Sequence, residues 1–249
     1  MSVIKSKILR RTFIIATITI LAFWFFYVFT YPVKSRKYEI VFDISMVNSL
    51  DHLKKRAVVT LIDKTVEDVY RYFGTEYRDT LHVYFSDVDI AWSRNAVHIR
   101  KRIDKNLYGV VYCVAHAVLK VKPSAFEMEG PAHFIAYKSA PEGEEIRMSK
   151  IRYCSFLSNQ VRSHDLLFEG GDDVYYFRDN WETGYQAGLF YYFLNEKYGT
   201  PKLREFYAKG IRNFQSVYGM STETAYAEWR LWLIEEVQKA SNKSQSATR

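Results

Sequence analysis

Residues 107–120 read LYGVVYCVAHAVLK, and residues 124–137 read SAFEMEGPAHFIAY. The first stretch suits a strand or a helix by composition alone. Its length, and the helical stretch that follows it, favour a buried helix from Leu107 to Lys120. Lys122, Pro123 and Ser124 form a connector, and a second helix runs from about Ala125 to Tyr137. Residues four apart share a helix face. Tyr112 and His116 then lie one turn apart on the first helix, and Glu129 and His133 one turn apart on the second.

Working outwards, Lys37–Asp43 (KYEIVFD) alternates like a strand. Ser49 is placed to cap a helix running to about Phe73, with Leu50, Leu53, Ala57, Leu61, Val66, Val69 and Phe73 at a roughly helical period. Gly74 stops it. Leu81–Phe85 is a second strand and Ala96–Arg100 a third. Residues 140–180 are the least regular part. Beyond them the pattern is helical: Trp181–Tyr198, a break at Gly199, Thr200 and Pro201, a helix from Pro201 to about Gln215, and a last helix from Thr222 to Lys239 capped by Ser221. A few strands followed by helices predict an α+β domain over residues 38–239. Residues 240–249 read as a polar tail.

Thr12–Tyr31 (TFIIATITILAFWFFYVFTY) carries no charge, and about 20 apolar residues are needed to cross a bilayer core. Trp24, Tyr27 and Tyr31 sit towards its far end, as interfacial aromatics do. A cleaved signal peptide is the alternative. The run is longer than the usual apolar core of such a peptide, and Pro32, Val33 and Lys34 follow it in place of a small-residue cleavage site. Residues 1–37 therefore predict a single-pass anchor in the lipid bilayer. Lys5, Lys7, Arg10 and Arg11 flank one end, and Lys34, Arg36 and Lys37 the other. With the amino terminus counted, the bias sets the N-terminus in the cytoplasm and the domain outside.

The same residues account for the net charge of +7. Removing the anchor's seven basic residues from 35 leaves 28, against 28 acidic ones. A neutral domain has no bulk field for a phosphate backbone, so nucleic acid is not expected as a partner. Cys113 and Cys154 are the two cysteines; one disulfide would suit an extracytoplasmic domain, but sequence alone does not bring them together.

Zinc hydrolases of the HExxH type place two histidines one turn apart on a helix, with a glutamate between them as general base. In gluzincins a second helix supplies a glutamate as third ligand, often within W-x-x-E-G-x-A. Residues 126–133 (FEMEGPAH) are similar to that second motif, with Phe126 at the Trp position, Glu129 at the ligand position and Ala132 at the Ala. Residues 112–116 (YCVAH) sit where HExxH belongs: His116 falls at its second His, Tyr112 at its first and Cys113 at the general base. Trp181–Leu233 also resembles the ending of peptidase-MA-like domains, in its G-Y-x-x-G helix, its K-Y-G-x-x-K-L-R turn and its final Y-G-M-S…W-L helix. The resemblance covers most of residues 38–238 and implies a thermolysin-like gluzincin domain behind the anchor.

The departures matter as much as the matches. Two retained ligands fall short of the usual three, and loss of the base removes a step worth about 10²–10⁴-fold. The resemblance thus implies a pseudopeptidase without catalytic residues or cofactor, binding a polypeptide or a membrane-protein partner. A metallopeptidase with a shifted zinc set of His116, Glu129 and His133, aided by the Cys113 thiolate, is the alternative. An accessory structural subunit of a membrane complex is the third. An ordinary cleft-lining role is the plain reading of His133, and a buried or disulfide-bonded thiol that of Cys113; the other role open to Cys113 is that of a nucleophile beside His116. Asp87 and Asp89 lack the further acids and glycine of a calcium loop. Glu169–Asp173 reads as a turn, and His52, His82, His98 and His164 show no ligand spacing.

Overall fold

A computed structural model describes residues 15, 17–21, 33–34, 39–42, 52–86, 91–93, 96–100, 107–119, 122, 124–140, 167–168 and 181–246. The chain is mostly helical with a small sheet, loosely α+β. Among the described residues the strands are β1 (Val33–Lys34), β2 (Glu39–Phe42), β3 (Leu81–Ser86), β4 (Ala91–Ser93) and β5 (Ala96–Arg100). They form one sheet in the order β1-β2-β3-β5-β4. β2, β3 and β5 run parallel, while β1 and β4 are antiparallel to their neighbours at the two edges. The parallel step from β2 to β3 requires a crossover, and α1 (His52–Phe73) supplies it.

α2 (Leu107–Val118) packs against β4, β5 and α1. α3 (Ala125–Ser139) packs on α2 and most heavily on α4 (Trp181–Lys209). A 3-10 turn (Ile211–Asn213), α5 (Phe214–Tyr218) and α6 (Thr222–Ser246) complete the chain of elements. Phe126, Phe134, Phe190, Tyr191, Phe193, Phe206, Phe214 and Trp229 are all fully buried. The high aromatic content is therefore spent on the seam between α3, α4 and the last helices, where ring edges meet ring faces.

Local chemistry fixes the helix ends. Ser124 is the N-cap of α3: its Oγ accepts the Glu127 N–H at 3.2 Å and donates to Glu127 Oε2 at 2.9 Å. The other oxygen, Oε1, accepts the Ile211 N–H at 3.0 Å, so one buried carboxylate ties the start of α3 to the turn after α4. Asp68 on α1 and Ser139 at the end of α3 make a second buried link, at 2.8 Å.

Several expectations need correction. The helix foreseen over 201–215 ends at Lys209, because Gly210 takes φ 82, and a 3-10 turn and α5 follow. Trp181–Lys209 is kinked at Gly199 (φ 83), at the expected break. Residues 240–246 continue α6, so the tail is helical that far. Val33 and Lys34, assigned to the anchor, pair with Ile40 and Glu39 and so belong to the sheet. β4 was not foreseen; three residues are too few to show a period. Of the predicted span, residues 15 and 17–21 are described; they are helical, and Ile15, Ile18, Ile20 and Leu21 are exposed. Among the described residues no helix is long and apolar enough to cross a membrane. The rest of the span lies outside them, as do Asp87, Asp89, Cys154, His164 and Glu169–Asp173.

The α3–α4 contact depends on glycines. A methyl group at Gly130 would lie 2.6 Å from the Tyr191 ring, and one at Gly184 would lie 2.9 Å from His133 Nε2. One at Gly188 would overlap His133 Cβ. Gly188→Ala should therefore cost about 1–3 kcal/mol through overpacking. A lowered denaturation midpoint, measured by circular dichroism on the full chain, checks it.

Candidate functional site

Helix periodicity builds the site. Tyr108, Tyr112 and His116 stand at successive turns of α2, and Glu129 and His133 at successive turns of α3. The packing of α2 on α3 sets these stripes against each other. Of the residues singled out from sequence, the structure brings together Tyr112, His116, Glu129 and His133. His116, Glu129 and His133 are buried and Tyr112 is half-buried.

Glu129 Oε2 is the meeting point. Tyr112 Oη donates to it at 2.5 Å, and His116 Nε2 lies 3.1 Å away. An ionised carboxylate only accepts, so His116 carries its proton on Nε2. His133 Nε2 is 3.9 Å from the same oxygen, too far for a hydrogen bond. Tyr108 Oη lies 2.6 Å from His133 Nδ1. With the Nε2 proton turned towards the carboxylate, Nδ1 is the acceptor and Tyr108 the donor. Tyr112 and Tyr185 close over the His133 ring, each at 4.4 Å between centroids.

The electrostatics follow from these contacts. Burial pushes the Glu129 carboxyl up, but the His116 hydrogen bond, the charges of His116 and His133 and the Tyr112 hydroxyl outweigh it and hold it at about 2. Burial pushes the His133 imidazole down to about 3; Glu129 opposes this and His116 adds to it. Burial raises the Tyr112 phenol well above its ordinary range, and the Glu129 charge and hydrogen bond raise it further. Tyr108 is likewise raised, by burial and then by Tyr137 and Tyr185. Both phenols are donors at neutral pH, Glu129 is ionised and His133 is neutral.

Cys113 is the neighbour of Tyr112 on α2. It is buried, its thiol is not in a disulfide, and burial followed by the Glu129 charge raises its pKa far above neutral. A thiol that stays protonated is neither a base nor a strong nucleophile at pH 7.

Zinc bound here would need lone pairs from Glu129 and from deprotonated imidazole nitrogens. The Glu129 oxygen that faces the histidines already accepts two protons, from Tyr112 and His116. Among the described residues no group of three or more His, Cys, Asp or Glu side chains is arranged to hold a metal ion. As arranged, Glu129 Oε2 is engaged by Tyr112 and His116, and His133 Nε2 faces the same oxygen from 3.9 Å.

His82 lies on β3 and His98 on β5, strands of the sheet and not the helices that carry the site. Sequence reading passed over Tyr108 and Tyr185. A signal for Tyr108 existed, because Tyr108, Tyr112 and His116 recur every four residues. Tyr185 had none, since its role depends on how α4 crosses α3. Compared with known proteins, the chain matches no family model, no curated protein and no solved structure.

Two predictions test the network. In Tyr112→Phe the Glu129 carboxylate keeps its burial and loses its shortest donor, a loss of about 1–3 kcal/mol, read as a lowered denaturant midpoint. The second concerns pH. Both Glu129 and His133 bind their protons at lower pH when folded than when unfolded, from 4.5 and 6.5 respectively. Stability is thus complete above about pH 6.5 and falls as the pH drops towards 2. Thermal melts should show this slope. His133→Gln should flatten it between pH 6.5 and 4.5, and Glu129→Gln below pH 4.5.

Proposed function

We propose that this chain is a membrane-anchored, catalytically inactive gluzincin-like protein whose cleft binds an extended polypeptide segment. The observation that carries this reading is the 2.5 Å hydrogen bond from Tyr112 to Glu129. At the position where the resembled family places a zinc ligand, a protonated phenol satisfies the very carboxylate that would hold the metal. The general-base position holds a buried thiol, so nothing there activates water. The loss of catalysis and the integrity of the site thus have one cause.

A binding role is supported by β4. It is the edge strand of the sheet, antiparallel to β5, and it packs against α2, the helix that carries Tyr112 and His116. An edge strand beside that helix is suited to adding a partner strand through main-chain hydrogen bonds. The thermolysin-like arrangement belongs to this proposal and rests on the resemblance of the two motifs. The anchor rests on the uncharged run at 12–31 and on the exposed Ile15, Ile18, Ile20 and Leu21. A domain held outside the membrane by that anchor would meet extended segments of envelope or membrane proteins.

The decisive experiment pairs zinc analysis with peptide binding on the purified full chain. Unstructured peptides should bind, by fluorescence anisotropy, without being cleaved and without dependence on zinc. Tyr112→His, which restores a nitrogen ligand and removes the phenol, should gain zinc affinity by elemental analysis. About one zinc per native chain, lost in Glu129→Ala together with peptide cleavage, would overturn the reading in favour of a metallopeptidase using His116, Glu129 and His133.

A further inference from the structure

Among the described residues of the domain, the exposed large apolar side chains are Tyr70 on α1 and Leu231 and Ile234 on α6. Leu231 is 64% exposed and Ile234 44%. The inward face of α6 carries Ala225, Trp229 and Leu233, all fully buried. At about 3.6 residues per turn, Ala227, Leu231 and Ile234 fall on roughly the opposite side. The stripe therefore points away from the core and cannot be absorbed by it.

The charges beside the stripe say what would cover it. Arg230 and Glu235 flank Leu231 and Ile234, one on each side. Arg230 is exposed and has no ion-pair partner among the described residues, and Glu235 has Lys239 only at 4.0 Å. In heptad terms Leu231 is an a position, Ile234 a d position, Arg230 a g and Glu235 the following e. When two identical helices pack in parallel, each g meets the next e of its neighbour. Arg230 of one copy then meets Glu235 of the other, twice over, across the apolar stripe. Packed antiparallel, Arg230 faces Arg230 and Glu235 faces Glu235, which repel. The face is self-complementary in one orientation.

We propose that the outward face of α6 is a contact surface for another copy of this chain, in parallel register. Leu at a with Ile at d is the order that favours more than two strands, so assemblies of two or more copies fit the surface. Gln238 and Ser241 continue the a and d positions with polar side chains, which confines the contact to about two helical turns.

The test is the mass of the purified full chain by light scattering over a dilution series. The wild type should be a dimer or larger at high concentration and dissociate on dilution. Leu231→Glu should raise the dissociation constant about tenfold or more, since it puts a charge on an apolar contact. Arg230→Glu and Glu235→Arg should each weaken assembly about three- to tenfold, and the double exchange should restore it. All three substituted positions are exposed, so folding is retained. A wild type that stays monomeric, single exchanges without effect, or a double exchange no better than either single one overturns the proposal. The readout is independent of the cleft: Tyr112→His should leave the mass unchanged.

Discussion

A carboxylate that is buried must be paired, and most of what is distinctive here follows from how Glu129 meets that demand. Taking an ionised group out of water costs several kcal/mol unless donors replace the water. Glu129 finds them in Tyr112 and His116, both presented by α2. This binds the two helices at one point and fixes which face of each turns inward. It also occupies the Glu129 oxygen that faces the two histidines. The interaction that makes the fold sound at this place is also the one that sets the chemistry of the site.

The aromatic rings extend the same logic. Tyr108 holds His133 by its Nδ1, while Tyr112 and Tyr185 cover the ring. A neutral imidazole enclosed in this way exchanges little with solvent, and its orientation is set from both sides. Gly184 and Gly188 on α4 leave the space that His133 occupies. Two histidines, one acid and three tyrosines thus form a single packed object rather than a set of separate groups around an opening.

Sequence made part of this legible. The helices over 107–118 and 125–139 showed in their apolar content and their length, and the one-turn spacings put Tyr112 with His116 and Glu129 with His133. β2, β3 and β5 were visible from alternation. What stayed hidden is non-local. β4 is three residues long and exists because β5 offers it a partner. The kinked course of α4, with its 3-10 ending, is decided by Gly199 and Gly210 at positive φ and by the Glu127 carboxylate reaching across to Ile211. The hydrogen bond from Tyr112 to Glu129 crosses between two helices, so only packing could show whether the tyrosine merely filled a ligand position or used it.

The glycine seam between α3 and α4 has a dynamic consequence. Where a ring of each helix lies directly on a glycine of the other, as Tyr191 does on Gly130 and His133 on Gly184 and Gly188, neither can slide or rotate without a clash. Local opening of one is then opening of both. The amide protons of α3 and of the first half of α4 should therefore exchange with solvent as one cooperative unit.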